Sequence, residues 1–170
     1  TLALSAADTY LAVRVAANDW WTQSATGSVS GNGGLAFYAY GDYSNTSAAD
    51  LGSQATYMRA TGGARVFTFS SDLTCGLLHV GALEGQTTAV EVNGALTASS
   101  VALGGISSSV RPGVLTLASG QVHRVTGAIA RHATNTGTAH ALNLQGRLLL
   151  GGTFTGTGIT VTPTHEGQID

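Results

Sequence analysis

The sequence predicts an all-β protein, an antiparallel sandwich or jelly-roll-like domain with additional hairpins. Three observations carry that reading. Short apolar stretches alternate with polar or small residues at period two, which puts one set of side chains on one face of a sheet. Clusters of Gly, Ser, Asn and Pro interrupt them every eight to twelve residues, the spacing of a β-sandwich or barrel. Asn93-Gly94 separates Val90-Glu91-Val92 from Leu96-Thr97-Ala98, and Asn-Gly is the pair that most readily takes positive φ in a tight hairpin.

The elements follow in order. Tyr10 to Ala17 alternates Leu11, Val13 and Val15 with Ala12 and Arg14, which favours a strand. An Ala-rich helix capped by Ser5 is the competing reading. Trp20 and Trp21 stand next to each other, so on a strand they would point to opposite faces and at most one would reach the core. Residues 22–34 form a polar, Gly-rich loop without the Lys or spacing of a phosphate cradle. Leu35–Tyr40 is an aromatic strand that runs into the turn-formers Gly41–Ser47. Ala55–Ala60 and Ala64–Phe69 flank Thr61-Gly62-Gly63 and read as a second hairpin. Leu77–Val80, Val114–Leu117, Gln121–Thr126, Ala141–Gln145, Arg147–Leu150 and Thr153–Thr162 complete ten to twelve short strands.

Composition bounds the rest. The chain has 170 residues, a net charge of −2 and only 9% charged residues, against roughly 25% in ordinary soluble domains. Such a surface suits a repetitive β protein or a subunit covered by neighbours. One domain spanning 1–170 is expected. The aromatics crowd into the first half, so a division into an aromatic-rich 1–85 and a Gly/Thr-rich 86–170 stays open. All seven basic residues are Arg and none cluster, which argues against a phosphate-neutralising nucleic-acid surface. No apolar run approaches the roughly 20 residues that cross a bilayer as a helix. Thr1–Ser5 lacks the basic flank and long apolar core of a signal peptide. Cys75 is alone and reads as a small buried residue.

No catalytic signature stands out, and a non-enzymatic protein without a cofactor is expected. His79, His123, His132, His140 and His165 show no helical metal-ligand spacing; His132 and His140 could still converge across one loop. A glycosidase would need two carboxylates brought together in space, and Glu91, between Val90 and Val92, is expected to point outward. The loop Tyr38–Asn45 is the best ligand-binding candidate. Asp42, Tyr43 and Asn45, joined by Trp20 or Trp21, have the residue types that stack on sugar faces and bind hydroxyls. The competing reading makes the rings core and Asp42 a turn-former. A calcium ion at Asp42, Asn45 and Asp50 lacks EF-hand spacing, so no metal is expected.

Val92-Asn93-Gly94-Ala95-Leu96-Thr97-Ala98-Ser99-Ser100-Val101-Ala102-Leu103-Gly104-Gly105 resembles a segment that recurs in tailed-bacteriophage tail fibres and related virion appendages. Thr153–Thr162 has a similar Gly/Thr cadence. The chain departs from long fibres in being short, with no repeated module and no Gly-X-Y run. The resemblance implies a structural protein on a virion surface or on a phage-derived particle such as a gene transfer agent: a tail fibre, head spike or capsid decoration subunit. Its expected partners are copies of itself, with a trimer favoured, other virion proteins and host surface polysaccharide. The alternative function is a carbohydrate-binding adhesin or receptor-binding domain that recognises host surface glycans through Trp20, Trp21, Asp42, Tyr43 and Asn45; a bacterial surface or pilus subunit is a third class.

Overall fold

A computed structural model describes residues 2–4, 10–23, 29–31, 33–82, 86–105, 111–136, 139–163 and 167–170. The proposed Ser5 cap, Glu84, His165 and the centre of the 22–34 loop lie outside them. Nineteen strands and no helix are found among the described residues. Every strand pair is parallel. The protein is therefore a β-solenoid of about six turns. The expected antiparallel sandwich or jelly roll is incorrect.

Each turn offers three strand positions. The first face holds 49–50, 73–75, 96–98, 122–125, 147–150 and 168–169. The second holds 10–15, 34–39, 56–60, 77–80, 101–103, 129–131 and 154–155. The third holds 43–45, 65–69, 88–92, 113–117, 140–144 and 159–163. Leu73–Val80 and Leu96–Leu103 run unbroken from the first face into the second. Leu2–Leu4 and Val29–Gly31 pair with each other in a separate two-stranded sheet.

Both expected hairpins fail for one reason. Thr56–Ala60 and Arg65–Phe69 lie on different faces, as do Thr88–Val92 and Leu96–Leu103, so neither pair shares a ladder. Neither Asn93 nor Gly94 has positive φ, which a type I′ reversal requires at both positions. Glycine is needed at 94 for closeness instead. A Cβ there would sit 2.3 Å from the Ser71 carbonyl carbon in the corner of the preceding turn. The Asn-Gly pair marks a corner where the chain bends and continues.

Alternation at period two is equally strong in a solenoid, because each inward residue stacks on its counterpart one turn away. On the third face Phe67, Val90, Leu115 and Leu142 form one such inward row, and Phe69, Val92, Leu117 and Leu144 a second. All eight are essentially inaccessible to solvent. On the second face Phe37, Met58, Val80 and Leu103 stack likewise. Adjacent turns are about 4.8 Å apart, which brings the side chains of a row into contact. Each fully buried aliphatic side chain then contributes roughly 1.5–3 kcal/mol. Cys75 takes the expected place in this core, and burial pushes its thiol up to about 12. The buried cluster runs from Val15 to Ile159, across residue 85.

Two histidines occupy inward positions among the aliphatic rows. His123 follows Leu96 and precedes Leu148. It accepts the Leu96 N–H at Nδ1 (3.2 Å) and donates from Nε2 to Ala118 O (3.0 Å). His140 lies between Gly113 and Ile159. It accepts the Gly113 N–H (3.2 Å) and donates to Asn135 Oδ1 (3.2 Å), while Asn135 Nδ2 donates to Gly105 O (3.1 Å). Each ring uses one acceptor and one donor, which only a neutral imidazole can supply. Burial lowers the pKa of His123 in agreement with that role.

Candidate functional site

The outer side of the second face carries a cluster of arginine, tyrosine and histidine side chains. Register aligns Arg14, Tyr38 and Arg59 in one outer row, and Ala36, Tyr57 and His79 in the row beside it. Around them two groups of ring and cation contacts form, Arg14 with Tyr40, and Tyr38–Arg59–Tyr57–His79–His132. The Arg14 guanidinium lies 4.7 Å from the centre of the Tyr40 ring. Arg59 lies 5.4 Å from Tyr38 and 5.0 Å from Tyr57, and its Nη1 donates to the Tyr38 hydroxyl at 2.6 Å. Tyr57 meets His79 edge-on at 5.4 Å, and His79 meets His132 at 4.9 Å. Cation–π contacts of this kind contribute about 0.5–2 kcal/mol each, more as they are desolvated.

Exposure is graded along the strip. Arg14 is exposed and Tyr40 is 46% exposed; Tyr38 and Tyr57 are half-buried; Arg59 is 3% exposed and His79 is fully buried. His79 donates from Nε2 to Gly104 O at 2.6 Å. Burial first, then the neighbouring His132 and Arg59, bring its pKa down to about 4 against the hydrogen bond to Gly104. His79 is thus neutral at neutral pH, and Arg14 and Arg59 carry the positive charge of the outer rows. No Asp or Glu occurs in any strand of this face.

The described carboxylates are committed elsewhere. Asp19 accepts the Thr46 N–H and hydroxyl, Asp42 the Val66 N–H, Asp50 the Gly52 N–H and Asp72 the Ala95 N–H. Asp170 pairs with Arg147, and Glu91 lies half-buried on the third face. Asp50 closes its own turn, whereas Asp42 and Asp72 bond backbone N–H groups of the next coil and tie adjacent coils together.

The residues expected to bind a ligand serve the first turns of the core. Trp20 packs on Phe37, Phe69 and Phe67 with centroids 4.7, 5.4 and 6.1 Å away, and Trp21 meets Phe37 edge-on at 5.9 Å. Both rings reach the core because residues 20 and 21 lie outside any strand, so strict alternation does not apply. Asn45 is fully buried: its Oδ1 accepts the Trp21 N–H (2.9 Å) and its Nδ2 donates to Ser47 O (2.8 Å). Tyr43 is half-buried against the same cluster. Asp42 is exposed and bound to Val66 as above. Among the described residues no three His, Cys, Asp or Glu side chains are grouped to hold a metal.

Sequence reasoning reached only Tyr38 and Tyr40, inside the 38–45 stretch, because the other members are scattered along the chain from Arg14 to His132. The available signal was the run of Tyr and Arg at alternate positions in Phe37-Tyr38-Ala39-Tyr40 and Tyr57-Met58-Arg59.

The buried, neutral His79 makes stability depend on pH. In the unfolded chain it protonates near 6.5, whereas in the fold it resists protonation until about 4. Stability is therefore complete above the unfolded value and is lost as pH falls through this window, at about 1.4 kcal/mol per pH unit, levelling off below it. His123 and His132 shift in the same direction. Urea midpoints measured at pH 7 and pH 5 should show the loss, and His79→Gln should make the dependence shallower. An unchanged pH dependence in that variant would remove His79 as its source.

No protein-family model, curated protein or solved structure matches the chain.

Proposed function

We propose that the chain is a structural module, a rigid β-solenoid segment of a fibre, spike or decoration subunit on a phage-like particle, which acts by assembling with copies of itself and with neighbouring structural proteins. The observation that carries this reading is the rod itself. Its turns are held by continuous parallel ladders and inward aliphatic rows, and it has few charges to desolvate on contact. Two further features support it. Apolar side chains lie open near both ends, Leu11 at 42% and Ile169 at 41% exposure. The strands 154–155 and 159–163 have no neighbour on their far side among the described residues, and such edges template the addition of another strand. The resemblance of residues 92–105 to virion appendage sequences supplies the biological setting.

Light scattering of the native protein at two concentrations tests the reading. A closed homo-oligomer, with the trimer as the favoured form, or an end-to-end series is the expected result. A monomer at both concentrations, with no rods or clusters by negative-stain microscopy, would overturn it.

A further inference from the structure

We infer that the corner at Gly104–Gly105 is an acid-released latch: His79, His132 and His140 hold residues 132–135 against it while their rings are neutral, and release them on protonation before the solenoid itself melts.

Three histidines from two turns meet at this corner. The turn before it supplies His79, whose Nε2 donates to Gly104 O at 2.6 Å. The turn after it supplies His132 and His140. The His132 ring lies 4.9 Å from the His79 ring, and its main-chain N–H donates to Leu103 O (2.8 Å). His140 packs on Gly104, so closely that a Cβ at 104 would stand 2.5 Å from its Cε1. Asn135 joins the two. Its N–H donates to His132 O (2.9 Å), its Oδ1 accepts from His140 Nε2 (3.2 Å), and its Nδ2 donates to Gly105 O (3.1 Å). The convergence of His132 and His140 around one loop therefore occurs, through the Asn135 side chain.

The closed corner has poor places for a second proton on these rings. His140 Nδ1 receives the Gly113 N–H (3.2 Å) and His132 Nδ1 the Thr134 N–H (3.4 Å). A main-chain N–H can only donate, so a proton on either nitrogen would face another proton. His79 Nδ1 is buried without a hydrogen-bond partner, and a buried donor lacking an acceptor is costly. The titratable and charged side chains around the cluster are Tyr57 and Arg59 from the second face, Arg131 beside His132, and Arg111 against Gly105. No Asp or Glu occurs in residues 56–60, 77–82, 101–105, 111–117, 129–136 or 139–144. An imidazolium here would meet arginines and no carboxylate from these segments.

His132 is the trigger. It is only half-buried, and the Thr134 hydroxyl at 3.0 Å can turn its oxygen towards a protonated Nδ1. Its protonation removes the Thr134 N–H bond and sets a positive charge against His79. Residues 132–135 then lift, and His79 and His140 protonate once water reaches them. Burial lowers the pKa of both His132 and His79 in the closed corner. Closure is therefore complete above the unfolded value near 6.5 and is lost as pH falls below it. Histidine clusters that carry a bistable element act as pH switches in this way.

Amide hydrogen exchange at pH 7.5 and pH 5.5, corrected for the intrinsic pH dependence of exchange, tests the latch. The Gly113, His132 and Asn135 amides should lose protection about tenfold at the lower pH, as in a local opening, while those of Phe67–Phe69 and Val90–Val92 keep theirs. His132→Asn retains an acceptor for the Thr134 N–H, as Asn does in an Asx-turn, but cannot titrate; its corner should stay protected at pH 5.5. Histidine ring signals in the NMR spectrum of the native chain should show His132 protonating first. Unchanged corner protection in the native chain, or an equal loss at Phe67–Phe69, would overturn the proposal. So would full acid release in His132→Asn, or His79 or His140 titrating before His132. The assembly reading is judged by native mass and is unaffected by these results.

Discussion

Replacing Phe37 by alanine is expected to cost about 4 kcal/mol of unfolding free energy, the range for deleting a buried aromatic ring. Phe37 has no solvent exposure. It supports both Trp20 at 4.7 Å and Trp21 at 5.9 Å, and in the row beneath it stands Met58. The void would lie between an end turn and its aromatic cover, where neighbouring stacked turns cannot collapse without breaking their ladders. Stacked repeats unfold approximately as nearest-neighbour units, so the loss should be uneven. Tryptophan fluorescence, which reports only the first turns, should shift its thermal midpoint down by about 12 °C, at the roughly 2–4 °C per kcal/mol of a chain this size. Far-UV circular dichroism, which averages all turns, should shift less. Equal shifts in both signals would mean that the solenoid melts as one unit; no shift in either would show that Trp20 and Trp21 are not held by Phe37.

The second large effect is expected at Gly76, in the bend of Leu73–Val80 between the first and second faces. A Cβ there would stand 2.1 Å from Ser53 O and 2.6 Å from Gln54 O. Both are backbone atoms of the preceding turn, so no side chain can swing away; the whole corner must move. Gly76→Ala should cost about 3 kcal/mol, the upper part of the range for overpacking. Gly120→Ala is the control. Gly120 has φ +70° with nothing within 4 Å of an added Cβ, so its cost is only the left-handed strain of about 1–2 kcal/mol. Urea unfolding of the two variants separates closeness from conformation. A cost at Gly76 no larger than at Gly120 would mean that the corners have slack.

Much of the local structure was legible in the residues. Tyr10–Val15 is a strand as its β-branched alternation indicated. Phe67 and Phe69 share a buried face, and Cys75 is in the core. The histidines were harder. Their spacing marks no role, yet His79, His123 and His140 are buried with partners that lie in other turns: Gly104 O, the Leu96 N–H, the Gly113 N–H. A histidine buried by satisfying another turn's backbone leaves no mark in its own neighbourhood.

Strand content, low charge, corner positions and the division of each strand into inward and outward residues were thus determined by the sequence by itself, since they depend on side-chain periodicity and on the local demands of Gly, Asn and Asp. The direction of pairing was decided only in three dimensions. Alternation at period two is the same for an antiparallel sheet and for one side of a solenoid, and the turn spacing fits both. A repeat would have separated them, but the step between stacked partners runs from nineteen residues, His140 to Ile159, to twenty-eight, Val101 to Ile129. Corner loops of differing length hide the period while the ladders keep it. The same stacking creates the arginine–tyrosine strip, because side chains a full turn apart in sequence become neighbours one strand spacing apart in space.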